Sequence, residues 1–274
     1  MKYVTAGEAR IPALGFGTWR LRGAEATDMV ARALAEGWRH VDTARMYGNE
    51  AEVGAGIRAA AVPRDQVFLT TKIWPDDHAP DRLRAAAEDS AKTLGVGVPD
   101  LVLLHWPSRT VPLEETVPAL CALVRDGLAR HVGVSNFTRP LLEKAAALAD
   151  VPLTVNQVEY HPWLDQSPML AQLAAQGMAL TAYVPLAKGR AAQDATLARI
   201  GAAHGVSGAT ACLAWLLARG AIAIPKTASP ARLAENAAAL DVTLSTAEID
   251  EIAALAQPDG RLVQGPDGVA PDWD

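Results

Sequence analysis

The sequence predicts a (β/α)8 barrel formed by residues 1–274 as one domain, and three observations carry that expectation. Short β-branched runs alternate with Ala-rich helical runs eight times over. The strand-like runs are apolar throughout, as strands of a parallel sheet covered on both faces must be. The 274 residues match the length at which eight such units close on themselves, about 250 residues, and no internal repeat or long linker divides them.

In order, the first strand-like run is LGFGT (14–18), with a helix over 24–37. WRHVDTA (38–44) precedes a helix that begins near Asn49, and VFLTTKIW (67–74) precedes one over 80–94. DLVLLHW (100–106) leads to a helix over 113–126. ARHVGVSNF (129–137) leads to a helix opened by Pro140, whose fixed φ suits a first turn. LTVNQVEY (153–160) is followed by 167–176, MALTAYVPL (178–186) by helices across 192–219, and AIAIPKT (221–227) by a helix over 230–240. Ser245 with Glu248 three residues on has the pattern of a capping box for an additional helix to about Ala256. The tail QPDGRLVQGPDGVAPDWD is rich in Pro, Gly and Asp and is expected to fold over the barrel mouth as a loop that sets substrate choice.

Composition narrows the function classes. Apolar residues make up 50% and charged residues 20%, which fits a packed globule rather than a disordered chain. Twenty-five basic against 31 acidic residues give a net charge of −6, the wrong balance for a nucleic-acid binder that needs a basic stripe. Cys121 and Cys212 lie in apolar helical stretches without metal-ligand or disulfide spacing and are expected to be buried small hydrophobes. No secretory h-region opens the sequence, and the apolar stretch 209–224 is interrupted by Arg219 and Gly220. A reduced, soluble, cytoplasmic protein without a membrane partner is the expectation.

Catalytic groups of such barrels sit at the carboxyl ends of the strands. Strand two ends in Asp42 with Tyr47 just beyond, strand three in Lys72 and strand four in His105. Taken singly, each has an ordinary explanation: a turn cap, a packing aromatic, a surface lysine, a core histidine. Together they bring an acid, an ammonium, a phenol and an imidazole to one mouth. A charge at the end of a buried strand is costly unless paired, and Asp42 and Lys72 can neutralise each other. The cation is also expected to lower the Tyr47 pKa towards neutrality, which suits a phenol used as acid or base. No GxGxxG fingerprint is present, because Gly15–Phe16–Gly17 runs on into Thr18 and Trp19. Polar residues end strands five and six (Ser135, Asn136, Gln157). Lys226, Thr227 and Arg232 flank the last helix start, where two cations and a hydroxyl suit a phosphate dianion. Trp19, Trp74 and Trp106 follow strand ends and can wall an apolar cleft.

The segments HVDTARMYGNEAEVG (40–54), LTTKIW (69–74), LLHWP (103–107), GVSNF (133–137), NQVEY (156–160) and IPKTASPARLAEN (224–236) resemble, in order and spacing, those of the aldo-keto reductases. The short segment after His105 and the ending DGRLVQGPDGVAPDWD look most like the bacterial 2,5-diketo-D-gluconate reductases. The resemblance implies a tetrad of Asp42, Tyr47, Lys72 and His105 serving hydride transfer from NADPH to a ketone or aldehyde. Tyr47 would be the proton donor and His105 the group that orients the carbonyl. It implies further that Ser135, Asn136 and Gln157 bind the nicotinamide carboxamide and Tyr183 stacks on its ring. Leu186 and Lys188 would line the cofactor, Lys226, Thr227 and Arg232 the 2′-phosphate, and Glu235 and Asn236 the adenine side. Val184 and Thr227 depart from the Ser found at both positions in many members.

The substrate implied is 2,5-diketo-D-gluconate, with a broad aldehyde or methylglyoxal reductase as the alternative. Lys188, Arg190 and Arg261 are the cations available to a sugar acid. No metal is expected, and the chain is expected to act as a monomer. Two other classes are conceivable. One is a nucleotide-sensing regulatory subunit like the potassium-channel β subunits, which would give no turnover. The other is a Schiff-base lyase using Lys72, which Asp42 argues against, since such a lysine needs an unpaired apolar setting.

Overall fold

The computed structural model describes residues 1–266 and 269–273. Its chain starts with a hairpin that the sequence reading did not anticipate, β1 (Tyr3–Ala6) and β2 (Ala9–Pro12), paired antiparallel. Eight parallel strands follow: β3 (Phe16–Gly17), β4 (His40–Asp42), β5 (Phe68–Ile73), β6 (Leu101–Leu104), β7 (His131–Ser135), β8 (Leu153–Glu159), β9 (Ala179–Tyr183) and β10 (Ile222–Ala223). From β4 onward each pairs with its predecessor in chain order. The ring closes through Gly15 N–H to Ala223 O (2.8 Å), Ala223 N–H to Ala13 O (2.9 Å) and Gly17 N–H to Pro225 O (3.0 Å). A Cβ on Gly17 would lie 2.9 Å from Ile224 O, so this seam needs glycine. The expected (β/α)8 barrel is the fold observed.

Helices α1 (Gly23–Ala35), α2 (Glu50–Ala59), α3 (Pro80–Leu94), α4 (Leu113–Arg125), α5 (Arg139–Leu148), α6 (Ser167–Ala175), α7 (Ala195–Ala203), α8 (Gly208–Ala218) and α9 (Pro230–Ala237) link or follow the strands. The extra helix α10 (Thr246–Ala253) opens on the expected capping box, in which Glu248 N–H reaches Ser245 Oγ (3.3 Å) and Ser245 N–H reaches Glu248 Oε2 (2.7 Å). It stops short of Ala256. Residues 187–192, which lead from the strand run 178–186 to the helices expected across 192–219, form 3-10 turns with Lys188 and Gly189 at positive φ.

Successive strand residues face opposite ways, so the barrel has two cores. Leu101, Leu103, Val155, Ile222 and Ile224 pack together inside, with Ala6, Ala9 and Ile11 of the hairpin covering that cluster. Val102, Leu104, Val132 and Val134 face the helices. Leu103 and Leu104 are both fully buried, each contributing roughly 1.5–3 kcal/mol. Cys121 and Cys212 are buried in the outer core, as expected. Among the described residues no single helix is long and apolar enough to cross a membrane, and no cluster of His, Cys, Asp or Glu has metal-site geometry.

The register aligns the site. Asp42 pairs with Thr70, Lys72 with Leu103, Ser135 with Gln157 and Glu159 with Tyr183. Because every barrel strand runs the same way, these carboxyl-terminal positions open on one face.

Candidate active site

Lys72 is fully buried, and its ammonium donates to three oxygens: Asp42 Oδ1 (2.5 Å), Thr43 O (2.8 Å) and Tyr47 Oη (3.3 Å). Three N–H donors thus meet three acceptors, the condition under which a buried cation is tolerable. The second oxygen of Asp42 accepts from Gln157 Nε2 at 2.8 Å. Tyr47 stands on a 3-10 turn, Arg45–Tyr47, that leaves the end of β4. That loop is held by the buried Asn49, whose amide donates to Thr18 O (3.0 Å) and Leu21 O (3.1 Å) and whose Oδ1 accepts from Thr43 Oγ1 (3.0 Å). His105, one residue past β6, is anchored by its N–H to Ile73 O (2.9 Å). Its ring lies 5.7 Å from that of Tyr47 and 5.2 Å, edge-on, from that of Trp74. The four residues expected at one mouth are therefore in contact there.

Electrostatics corrects one expectation. Tyr47 is pushed above the ordinary tyrosine value of 10.0, because burial and the nearby Asp42 outweigh the downward pull of Lys72. The cation stops the phenol from rising further without bringing it towards neutrality. Burial also pulls the Lys72 ammonium down, but Asp42 and Tyr47 more than offset this and leave its pKa raised. His105 is held well below 6.5 by burial, with Lys72 and His78 adding to the effect, so its imidazole is neutral at pH 7. The site presents a protonated phenol, a fixed ammonium and a neutral imidazole. The rate of the chemical step is expected to stay flat between pH 6.5 and pH 10.0, the ordinary histidine and tyrosine values, when followed by single-turnover kinetics. A limb inside that window would show that one of the two groups is tuned the other way.

The residues assigned to a nicotinamide lie beside the tetrad and are linked to it. Asn136, at φ 62° after β7, donates from Nδ2 to His105 O (3.0 Å) and Ser135 Oγ (3.1 Å), and its Oδ1 accepts from Tyr183 Oη (2.7 Å). Ser135 Oγ donates to Gln157 O (2.8 Å). Burial, with Glu159 adding to it, raises the Tyr183 phenol and keeps it a hydrogen-bond donor. Across the mouth, Lys226 and Arg232 are exposed and have no ion-pair partner among the described residues. Between them Thr227 Oγ1 accepts from Ser229 N–H at 2.9 Å, ahead of α9. Two unpaired cations at a helix start are a donor set that fits a phosphate.

Other assigned residues have partners elsewhere. Lys188 Nζ donates to Leu262 O of the tail (2.9 Å), and Glu235 accepts from Ser207 Oγ at the start of α8 (2.5 Å). Leu186 is half-buried against the outer core and Asn236 is buried. Trp19 is exposed, with its ring 4.7 Å from that of Tyr47. Trp106 is only 5% exposed and meets Trp273 at 6.0 Å, so the tail covers it.

The sequence profile of the Aldo/keto reductase family matches residues 13–257. The chain belongs to that family. Among its relatives, this aldo/keto reductase is 41% identical to methylglyoxal reductase DkgB of Salmonella typhimurium, over 96% of this chain and 99% of that one. It is 38% identical to the glyoxal reductase of Bacillus subtilis, over 94% and 93%. A solved structure provisionally named 2,5-diketo-D-gluconic acid reductase B superimposes with a TM-score of 0.97 at 45% identity, covering 100% of this chain and 98% of the other.

Two functional contributions escaped the sequence reading. Asn49, which fixes the Tyr47 loop, looked like a helix start. Glu159, at the end of β8, lies in the NQVEY segment but was given no role. Its signal was the one that revealed Asp42, a charge ending an apolar strand.

Proposed function

We propose that this aldo/keto reductase reduces small dicarbonyl compounds with NADPH. The observation that carries the reading is the buried Lys72 ammonium, bonded to both Asp42 and Tyr47 Oη at a mouth walled by Trp19 and Trp74. NADPH, when bound, supplies the hydride. Tyr47 holds the proton that the carbonyl oxygen takes up, and the neutral His105 imidazole orients that oxygen and donates to it as negative charge develops. Lys72 keeps the phenol aimed and stabilises the phenolate left behind. Ser135, Asn136, Gln157 and Tyr183 would hold the nicotinamide, with Leu186 and Lys188 alongside. Lys226, Thr227 and Arg232 would take the 2′-phosphate, and Glu235 and Asn236 the adenine side. The tetrad is complete within one chain, which supports action as a monomer.

The diketo-sugar acid is supported by the name of the structural neighbour, and methylglyoxal by the names of the relatives. NADPH consumption with 2,5-diketo-D-gluconate, methylglyoxal and an aromatic aldehyde separates them by kcat/KM. Higher values for the diketo-sugar assign the first, and higher values for methylglyoxal the second. NADPH binding without turnover of any of the three would overturn the reductase reading and favour a nucleotide sensor. Arg232→Ala is expected to weaken NADPH about tenfold, through loss of a charge-assisted contact, and to leave NADH within about twofold. Equal losses for both cofactors would remove the 2′-phosphate assignment.

A further inference from the structure

We infer that Glu159 is a latch that holds the carboxyl-terminal tail against the barrel mouth, and so a positioning residue for substrate binding. Its carboxylate is fully buried. It accepts from Leu262 N–H (2.7 Å, Oε1), Val263 N–H (2.9 Å, Oε2) and His161 Nε2 (2.9 Å, Oε1). Two of the three donors are successive backbone amides of the tail, more than a hundred residues downstream. A buried carboxylate is expensive unless hydrogen-bonded, and bonds to a charged acceptor are among the stronger ones in a protein. The tail is thus tied to the end of β8 by a buried side chain that accepts from two of its backbone amides.

What the latch positions is visible on the same segment. Lys188 grips Leu262 from the opposite side through its carbonyl (2.9 Å), so the peptide groups on both sides of Leu262 are held. Gly265, at φ +94°, lies against the Trp106 ring so closely that a Cβ there would stand 2.8 Å from it. Trp273 packs on Trp106, Arg261 lies 3.6 Å over the Trp273 ring, and Arg109 donates to Ala270 O. These contacts pack the tail on Trp106, the residue that follows His105 in the chain. The tail enters through Gln257 N–H to Trp163 O (3.1 Å), and the Glu159 contacts at Leu262 and Val263 stand between that entry and the residues that meet Trp106. No hydrogen bond links Glu159 to a tetrad residue among the described residues; besides the tail, it neighbours Tyr183 across the β8–β9 pair, so NADPH affinity is the readout that separates the two routes.

The test is Glu159→Gln in the full-length protein, read in two ways. The amide keeps the volume but sets an N–H₂ against a tail N–H, so one of the two backbone bonds is lost. Trypsin cleavage after Arg261 is expected to accelerate about tenfold, the equivalent of losing a hydrogen bond to a charged group. KM for methylglyoxal is expected to rise by a similar factor with kcat within about threefold and NADPH affinity unchanged, a split that general destabilisation would not give. Should Glu159→Gln fail to fold, Val263→Pro removes one tail donor without touching the barrel and is expected to give the same split. In the double variant the two changes should not add, because they break one contact. Cleavage at the wild-type rate, an unchanged KM or full additivity would each overturn the latch. The kinetic arm rests on the reductase reading, whereas the proteolysis arm needs no substrate, so the two can fail separately.

Discussion

Tyr47→Phe is expected to lower kcat for carbonyl reduction by about a thousandfold, within the range assigned to a positioned general acid. NADPH affinity should stay within about twofold. The change removes one oxygen and nothing else. Lys72 keeps Asp42 and Thr43 O as acceptors, so no buried ammonium is stranded, and the ring keeps its contacts with Trp19 and His105. Fluorescence titration with NADPH and steady-state rates on one preparation check both halves. Full activity in this variant would refute the proton-donor role.

Lys72→Met is expected to abolish turnover and also to destabilise the fold, which separates it from Tyr47→Phe. The Asp42 carboxylate, 2% exposed, would be left with Gln157 Nε2 as its side-chain donor. Breaking a buried pair from one side costs about 3–5 kcal/mol, roughly 10 °C in Tm for a domain of this size. Removing the second charge as well, in Lys72→Met with Asp42→Asn, should return much of that stability and none of the activity. Additive losses in the double variant would mean that the pairing is not what the single change breaks. The pair's stabilisation also has a defined pH window. Because the folded-state pKa of Lys72 lies above its ordinary 10.5, its contribution is complete below pH 10.5 and is lost as pH rises through the folded value.

What could be read from the sequence divides along physical lines. The eight strand–helix units were legible because parallel strands buried on both faces leave apolar runs such as DLVLLHW, with no alternation to confuse them. The tetrad was legible because barrel geometry turns the last polar residue of each run into a mouth residue. The hairpin was missed because Tyr3, Val4 and Thr5 are not fully buried, so its first strand lacks the apolar signal. The Gly7–Glu8 turn between two short β-prone runs was the only cue, and Gly7 indeed sits at φ +55°. The sign of the Tyr47 shift was misread for a different reason. The sequence displays the cation but not the amount of water removed from around the phenol. The tail contact of Glu159 was not legible, since its donors there are backbone amides, which every residue but proline carries.

The seam between β3 and β10 has a consequence for how the molecule is made. The partner of residues 13–17 emerges from the ribosome roughly two hundred residues later, about 10–40 s at ordinary elongation rates. Throughout that interval β3 is an open sheet edge with unpaired amides, the arrangement most prone to pairing with a neighbouring chain. Gly17, which the seam requires for close approach, and Gly15, which makes room for the His40 ring, also leave this edge poor in side chains. The strand that waits longest is thereby the one with least to offer a wrong partner.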